Sequence, residues 1–541
     1  MGSTAGYHPG QPGALRYGAS GQARGTQMGA WFEMALDLLR VAIACVLAQP
    51  GPASMKLSRQ FGLASAVPKS IDPADATAAN RFLAPSPIAR RSLLAVAVGA
   101  GAALAATSLA AAPRSQTSPA AAHTVPGAAF GLEADSPRDQ TKLLQSAIDQ
   151  TAARGQVLAL APGRYITGAL RLPAGTRIAG VPGATLLSFA GGGTFLDGQG
   201  AAHVDLSGLV LDGVLLPLAA GRSGGLIRLA GCRDVHLSRL TLRNSPAHAI
   251  VLESSAGRIA ECDISAAAES AIFSLDAKGL EITGNTITDC ANNGILVWRS
   301  APGEDGTLVS GNRIERIAAT NGGSGQNGNG INVYRAGKVL VTGNRIADCA
   351  YSAIRGNAAS NIQMVANSAS RIGEVALYAE FGFEGALIAS NLIDGAAAGI
   401  SVTNFNEGGR LAVIQGNIIR NLRRREHEPE DKRGEGIGVE ADAAVTGNVI
   451  ENAPTCGIVI GWGRYMREVV ATGNLIRQTR IGIAISGDPG AGACHLANNM
   501  ISGASEGAIR AMSHWTPISG DLTRIDKGRP AGLTLAGNVG V

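Results

Sequence analysis

The sequence predicts an all-β protein built as a parallel β-solenoid, and two observations carry that prediction. A short phrase led by asparagine recurs nine times, with the leading asparagines 23 to 32 residues apart. Each phrase is answered by a small residue and aliphatic residues, as when Gly284-Asn285-Thr286-Ile287 is followed by Gly294-Ile295-Leu296-Val297. Stacked coils require such a near-constant period, because each coil must return to the same place on the next turn. The leading asparagines are Asn285, Asn312, Asn344, Asn367, Asn391, Asn417, Asn448, Asn474 and Asn499.

The composition agrees with stacked aliphatic coils. Hydrophobic residues make up 45% of the 541 residues, aromatics only 4%, and there are 73 glycines to turn the corners. A solenoid absorbs this length as one body. The net charge of +5 is small for this size and gives little support to nucleic-acid binding.

The cysteine and histidine patterns argue against a metal centre. The seven cysteines form no C-x-x-C pair and the eight histidines do not cluster, so no metal ligand is predicted and no cofactor is assigned. Cys290 and Cys349 each stand five residues after a leading asparagine, at a position that is mostly aliphatic in other repeats. We therefore expect both to be core thiols.

The N-terminal region is predicted to be a targeting signal rather than part of the fold. Arg90 and Arg91 precede a run rich in alanine that continues to Ala112, which is typical of a twin-arginine export signal. The alternative is a membrane anchor, but the run is short and weakly hydrophobic. We expect cleavage near residues 111–114, export by the twin-arginine machinery, a periplasmic or secreted protein, and no stable membrane span after processing.

The remaining chain divides by composition and periodicity. A predicted helix over Gln140–Arg154 places Leu143, Leu144, Ala147 and Ile148 on one side, where it would cover the open end of a solenoid. The predicted segments are an extension outside the working protein (1–54), the signal region (55–112), a linker (113–130), the N-terminal cap with the first coils (131–200) and the repeats (201–541).

Two stretches carry a resemblance to known families. After the predicted helix, Pro162-Gly163-Arg164-Tyr165 and Leu170-Arg171-Leu172-Pro173 resemble the start of the pectate-lyase-like (pectin lyase fold) family. The later repeats resemble those of alginate epimerases, and with the twin arginine they resemble a family of twin-arginine-translocated β-helix repeat proteins. The resemblance implies a right-handed parallel β-helix of about 12 coils with an N-terminal capping helix. It also implies a polysaccharide or cell-envelope glycan as partner. The Asp-rich and Gly-His-Gly motifs of polygalacturonases and the calcium carboxylates of pectate lyases have no clear counterpart.

Strand alternation sets which side chains point inward. We expect the asparagines to stack as a ladder in a turn, with their amides bonded to neighbouring backbone. The aliphatic residues predicted to point inward are Ile295, Val297, Ile331, Val333, Ile400, Val402, Ile437, Val439, Ile458 and Ile460.

The residues between these aliphatics point outward and are the site candidates. Two long inserts, Thr320–Asn329 and Arg420–Glu435, lie four coils apart, about 19 Å, and would wall a groove over them. The predicted catalytic residues are Arg355, Tyr378 and Glu380. The predicted substrate-binding residues are Trp298, Asn332, Tyr334, Arg335 and Glu440.

Structural roles compete with these assignments. Arg335, Arg355 and Glu380 could form an ion-pair network, and the aromatic residues could simply cover the sheet. The run Arg423-Arg424-Arg425 stands among acidic residues, which favours a solvated loop over an anion site.

Two functions remain open from the sequence. As an enzyme on an acidic polysaccharide, the protein would use Arg355 to stabilise a uronate carboxylate and Tyr378 or Glu380 to transfer a proton. For hydrolysis, Glu380 and Glu440 would lie two coils apart, roughly 10 Å, at the far edge of the inverting range. The alternative is a non-catalytic solenoid that binds a glycan or a protein in the cell envelope.

Overall fold

The protein is a right-handed parallel β-helix. The computed structural model describes residues 123–218, 224–323, 325–424 and 433–541. The predicted extension and signal region, most of the linker, and Arg425 lie outside the described residues. Within the described part, the paired strands are parallel except for Ile509–Ser513 with Thr516–Pro517. No described helix is long and apolar enough to span a membrane.

Successive coils contribute strands to three stacks. The first stack contains 16 strands and extends beyond the Asn phrases at both ends, which is why it exceeds the about 12 coils predicted. Its strands are Thr124–Pro126, Val157–Ala159, Thr176–Ala179, Val204–Ser207, Val235–Ser238, Gly257–Ala260, Glu281–Thr283, Leu308–Ser310, Leu340–Thr342, Ile362–Val365, Glu384–Ala389, Arg410–Gln415, Ala441–Thr446, Arg467–Thr472, Cys494–Ala497 and Leu533–Ala536.

The second stack follows the asparagine turn in each repeat. Its strands are Gly163–Thr167, Thr185–Phe189, Val210–Asp212, Thr241–Ser245, Asp263–Ala267, Thr286–Cys290, Arg313–Ile317, Arg345–Cys349, Ser368–Ser370, Leu392–Asp394, Ile418–Arg420, Met500–Ala504 and Val539–Gly540. Two longer strands, Val449–Ile460 and Leu475–Ser486, run on from the second stack into the third.

The third stack contains the answering aliphatic strands and carries the candidate site on its outward surface. Its other strands are Leu170–Arg171, Leu196–Gln199, Gly225–Ala230, His248–Glu253, Ser270–Leu275, Asn293–Glu304, Asn329–Gly337, Ile354–Asn357, Val375–Glu380, Ala398–Val402, Glu435–Val439 and Ile509–Ser513.

The core is the inside of the coils, and it confirms the predicted register. The ten aliphatic residues predicted to point inward are each 3% exposed or less. Their stacking removes a continuous column of apolar surface from water, which is the main driving force for such a fold. Cys290 and Cys349 lie in the same column as free thiols, and burial raises the pKa of the Cys290 thiol to about 12.

The asparagine ladder is also confirmed. Asn391 donates from its side-chain amide to the carbonyl of Met364 at 2.8 Å and to the side-chain oxygen of Asn417 at 3.0 Å. Its own side-chain oxygen accepts from the backbone N–H of Asn367 at 2.9 Å. Each buried amide is thereby bonded to neighbouring coils. The ladder therefore fixes the turn without leaving these buried polar groups unpaired.

A helix at Thr141–Ala153 covers the N-terminal end of the coils, as predicted. Its buried side contains Leu144, Ala147 and Ile148, which pack into the solenoid core. Leu143, expected on the same side, is instead 44% exposed. Two short 3-10 helices, Gly127–Phe130 and Phe405–Glu407, complete the helical elements of the described chain.

Candidate functional site

The outward row of the third stack has the register that the sequence predicts. One residue from each coil stands in this row, directly above its neighbour. In order along the stack the row contains Leu296, Asn332, Arg355, Tyr378, Ser401, Gly438, Val459 and Ala484. Over these coils its character changes from apolar to polar and back to apolar, while charged residues return at both ends of the row, with Arg228 before this stretch and Arg510 after it.

Arg355 is the centre of a buried ion-pair network. Its guanidinium donates to both carboxylate oxygens of Glu380, at 2.6 and 2.9 Å, and to Glu374 at 3.2 Å. The same guanidinium lies 4.9 Å from the ring centre of Tyr378. Burial alone would lower the pKa of Arg355, but the facing carboxylates of Glu380 and Glu374 raise it, so the arginine stays charged.

The accessibility expected for this group differs from what the structure shows. Arg355 is 5% exposed and Glu380 2%, and Gly325 of the predicted insert at Thr320–Asn329 lies against Arg355. Asn332, itself buried, donates to the carbonyl of Gly325 at 3.0 Å, and a side chain at Gly325 would lie 3.1 Å from the Arg355 guanidinium. Gly325 therefore covers Arg355, whose guanidinium is bonded to two carboxylates of the protein itself.

The aromatic residues predicted to bind substrate form a packed row on one side of this network. Trp298 lies edge-on to Phe273 at 5.5 Å and to Tyr334 at 5.6 Å between ring centres. Arg335 stacks over Tyr334 at 4.8 Å and donates to the carbonyl of Ser300 at 3.1 Å. These contacts match the alternative in which aromatic residues cover the sheet, and Arg335 takes no part in the Arg355 network.

An open cleft of about 350 Å³ lies farther along the same surface. Its floor is the outward row at Tyr378, Ser401 and Gly438. A side chain at Gly438 would approach only the Glu435 carboxylate, at 3.8 Å, so the missing side chain leaves open space above the strand. Aromatic and carboxylate side chains surround this floor. They are Trp462, Tyr465, Trp515, Glu435 and Glu440.

Two short connections position the aromatic walls. Trp462 and Tyr465 exchange backbone hydrogen bonds of 3.1 and 3.0 Å, which closes a tight turn directly after a third-stack strand. Trp515 lies at the tip of the antiparallel hairpin and meets Trp462 edge-on, with ring centres 5.4 Å apart. His514 packs against the same tryptophan at 4.9 Å. The walls are therefore braced against each other rather than free to rotate.

Glu440 supports the opposite wall. Its carboxylate accepts from the backbone N–H of Phe405 at 2.6 Å, and so holds the 3-10 turn over Phe405–Glu407. Burial raises the pKa of Glu440, although the backbone N–H groups of Phe405 and Asn404 act in the opposite direction. Glu440 is thus a half-buried carboxyl in a cleft, a position from which proton donation is chemically accessible.

Glu435 lies at the start of the neighbouring strand and is 7% exposed. It pairs in register with Ala398 and Cys456. Burial, reinforced by the charge of Glu435, raises the pKa of the Cys456 thiol to about 12. The carboxylate therefore lies close to the buried Cys456, at the edge of the cleft.

A second hollow of about 720 Å³ adjoins the cleft. Asn406 and Tyr465 line both spaces, so the two spaces are adjacent and share these residues as a wall. Beyond them lie Arg464 and Asp488.

The structure thus brings together two of the predicted residues, Tyr378 and Glu440, and adds others. The sequence reasoning missed Glu435, Trp462, Tyr465 and Trp515. One signal for Trp462 was present, because it stands two residues after Ile460, one position beyond the counterpart of Glu440, which directly follows Val439. The hairpin that delivers Trp515 has no counterpart in the repeats and gives no such signal.

The second predicted insert is described only at its two ends. Arg424 donates to the Thr455 hydroxyl at 3.1 Å and to the carbonyl of Pro454 at 2.9 Å. Arg423 donates to the carbonyl of Ile372 at 3.4 Å. These two arginines therefore hold the described end of the insert against neighbouring coils.

Two family models match parts of the chain. A right-handed beta helix region model matches residues 302–476, and a model of the periplasmic copper-binding protein NosD matches residues 219–371. No curated protein matches the sequence. The first match agrees with the observed fold, and the second is consistent with an exported protein.

Solved structures with the same kind of fold are similar at low identity. The pre-mature gene product 12 of bacteriophage phi29 has a TM-score of 0.53 at 14% identity, covering 74% of this chain and 58% of that one. A GH87 α-1,3-glucanase catalytic unit from Streptomyces thermodiastaticus has a TM-score of 0.41 at 15% identity, covering 78% and 69%. The A-module of an Azotobacter vinelandii mannuronan C-5 epimerase has a TM-score of 0.37 at 15% identity, covering 73% and 100%. The likeness to gene product 12 supports the fold alone.

The described residues do not fit the copper site that the NosD name suggests. No group of three or more His, Cys, Asp or Glu residues converges to hold a metal ion in the part of the chain that the structure describes. The cysteines within the matched region, such as Cys262 and Cys290, point into the apolar core, and burial raises their thiol pKa values to about 11 and about 12. A protonated buried thiol is a poor metal ligand, so no step is assigned to copper.

Proposed function

We propose that the protein is an exported glycan-binding β-helix whose ligand lies in the cleft over Gly438. The observation that carries the proposal is the convergence of Trp462, Tyr465 and Trp515 with two carboxylates around a floor that has no side chain at Gly438. Aromatic rings present broad apolar surfaces to the C–H faces of sugars, while carboxylates accept hydrogen bonds from hydroxyls. A concave site with a few convergent polar groups is the usual form of a small-ligand pocket.

The adjoining hollow favours an oligosaccharide over a single sugar. A chain that leaves the cleft over Tyr465 enters the space lined by Arg464 and Asp488. Ligand units in both spaces would bind through one connected chain, which makes affinity depend on chain length.

Binding is tested by titrating the purified protein with a panel of oligosaccharides, using calorimetry and tryptophan fluorescence. Trp462→Ala is expected to weaken binding by about tenfold or more, since stacked aromatic residues dominate such sites. The matched control is Trp298→Ala, which removes a tryptophan from the packed aromatic row outside the cleft. Equal loss in both variants, or loss only in Trp298→Ala, would place the ligand on the aromatic row instead.

Hydrolysis is a second candidate function, favoured by the raised pKa of Glu440. Glu440 would donate a proton to the glycosidic oxygen as the bond to the anomeric carbon breaks. Glu435 would take a proton from the water that adds to that carbon. Mass spectrometry of incubated oligosaccharides should then show shorter products with one water added per cleavage, and Glu440→Gln should abolish them. Intact oligosaccharides in the presence of measured binding would leave binding without turnover.

Export through the twin-arginine machinery is proposed from Arg90 and Arg91 with the alanine-rich run that follows. N-terminal sequencing of periplasmic material from the native host should give a chain beginning near residues 111–114. Recovery of a chain that starts at Met1 or Met55 would contradict cleavage.

A further inference from the structure

A row of exposed apolar side chains runs along the outward surface of the second stack. The residue that directly follows each ladder asparagine points outward, in register with its counterpart on the next coil. In the middle coils this position is polar, with Thr286, Arg313, Arg345 and Ser368. From the next coil onward it is apolar, and we call these residues the apolar stripe. They are Leu392, Ile418, Val449, Leu475, Met500 and Val539.

The apolar stripe is open to solvent over most of its length. Leu475 is half-buried, and the other five residues are exposed, from 37% for Val449 to 51% for Met500. Six coils at the spacing of paired strands extend the stripe over about 24 Å. Single exposed apolar residues are ordinary on a protein surface, whereas a continuous row of them marks an interaction surface.

Charged residues of alternating sign line one margin of the stripe. Two positions after the stripe residue, successive coils carry Asp394, Arg420, Glu451 and Arg477. Arg420 contacts Asp394 at 2.9 Å, and Arg477 contacts Glu451 at 3.2 Å. These four charges balance, whereas binding to an anionic membrane surface needs an excess of lysine and arginine. The six stripe residues also include no aromatic ring on which a sugar could stack.

We infer that the apolar stripe packs against the stripe of a second copy of this chain, in antiparallel orientation, to form a two-fold symmetric dimer. A two-fold axis that lies in the interface and crosses the stripe between Val449 and Leu475 reverses the order of the coils. Each stripe residue then lies against a stripe residue of the other copy, from Leu392 against Val539 to Val449 against Leu475. An interface of this symmetry uses the same patch on both copies.

The charged margin agrees with this orientation. Reversal about the same axis sets Glu451 of each copy against Arg477 of the other, and Arg420 against Ser502, so no two like charges meet. An apolar centre with a polar margin is the usual composition of a protein interface. The stripe belongs to the second stack and the candidate cleft to the third, so the dimer does not depend on the proposed function.

The oligomeric state of the purified protein tests the inference. Sedimentation equilibrium over a range of concentrations should show a reversible equilibrium between monomer and dimer. Val449→Asn should raise the dimer dissociation constant by about tenfold or more. Val413→Asn is the matched control, because Val413 is the same residue type, is 40% exposed and lies on the first stack, and it should leave the equilibrium unchanged. A protein that is monomeric at every concentration, or a dimer that both substitutions affect equally, would overturn the inference.

Cross-linking tests the orientation and does not require a destabilising substitution. The cysteines of the described chain are buried free thiols, so oxidation should join only exposed cysteines introduced by Leu392→Cys and Val539→Cys. In the antiparallel dimer these two positions face each other, while each lies about 24 Å from its own counterpart, too far for a disulfide. An equimolar mixture of the two variants should therefore form covalent dimers, and either variant alone should not. Covalent dimers of one variant alone, in equal or higher yield, would overturn the antiparallel arrangement.

Discussion

The same outward surface contains a closed centre around Arg355 and an open cleft around Gly438. The repeats that form the two regions have similar residues at equivalent positions. Arg355 and Gly438 occupy one row of the third stack, three coils apart. Glu380 and Glu440 each stand two positions after a residue of that row. Glu380 is held by Arg355 on the preceding coil, whereas Glu440 has Ser401 at the position that corresponds to Arg355 and accepts from the backbone N–H of Phe405 instead. The residue on the preceding coil therefore decides whether the glutamate forms an ion pair.

The covering loops strengthen the difference. At Arg355, Gly325 of the insert at Thr320–Asn329 lies against the guanidinium. Beside Gly438, the turn from Trp462 to Tyr465 and the hairpin bearing Trp515 line the cleft, and their tryptophans pack against each other. A rigid scaffold with variable connections therefore yields a structural centre and a candidate binding site on one surface.

The largest expected effect is from Arg355→Ala. This substitution leaves Glu380 and Glu374 buried without their cation, which should lower the free energy of unfolding by about 3–5 kcal/mol. Denaturant unfolding measures it. The matched control is Arg316→Ala, since Arg316 also makes a two-pronged contact with a carboxylate, Asp289, but at an exposed site, and should change stability little. Equal effects of the two substitutions would show that burial does not distinguish these pairs.

Asn391→Ala should have the next largest effect. It removes a fully bonded amide from the middle of the ladder and leaves buried backbone groups unpaired, at a cost of about 1–3 kcal/mol. Asn538→Ala is the control, because Asn538 ends the ladder and is partly exposed, so its loss should cost less. A thermal midpoint unchanged by Asn391→Ala would contradict the ladder, and glycan binding should be unaffected in either variant.

The fold was predictable because its signals are local and repeated. The leading asparagines and the alternating aliphatics recur in each coil, so an error at one repeat is corrected by the next. The same alternation placed Arg355, Tyr378 and Glu380 on adjacent outward positions, as the structure has them.

The alternation of inward and outward residues does not show which outward positions are covered by other segments of the chain. Whether an outward arginine meets water depends on how the Thr320–Asn329 insert folds, and that insert has no periodicity. The cleft depends likewise on a hairpin that occurs once in the chain. Pairing across coils was predictable for Arg355 and Glu380. Their burial, and the position of Trp515 in the cleft lining, were not.

Filling the cleft should affect binding much more than stability. Gly438→Leu places a side chain into open space, so the free energy of unfolding should change by about 0.5 kcal/mol or less, while oligosaccharide affinity falls by about tenfold or more. Gly436 offers a contrast two residues earlier, since a side chain there would lie 2.2 Å from the carbonyl of Gly457. Gly436→Ala should therefore destabilise the fold. Retained affinity in a folded Gly438→Leu protein would move the ligand out of the cleft.

The smallest expected effect separates two carboxylates that lie only two residues apart. Burial raises the pKa of Glu440, so folding is favoured by its protonated form, and its contribution is lost as pH rises from the ordinary range through the raised pKa. Arg467 and Arg410 lower the pKa of Asp442, so its contribution is present above the ordinary pKa and is lost as pH falls. The thermal midpoint of Glu440→Gln, relative to the parent protein, should therefore rise from acidic to neutral pH.

The midpoint of Asp442→Asn should change in the opposite direction over the same pH series, because the asparagine cannot gain the favourable charge that the aspartate acquires. Thermal unfolding of the three proteins across that series gives both slopes from one experiment. Slopes of the same sign would mean that Glu440 is stabilised as a carboxylate by the backbone N–H groups of Phe405 and Asn404, and that these outweigh its burial. Glu440 would then be a structural anchor of the cleft wall rather than a proton donor, and the hydrolytic proposal would lose its acid.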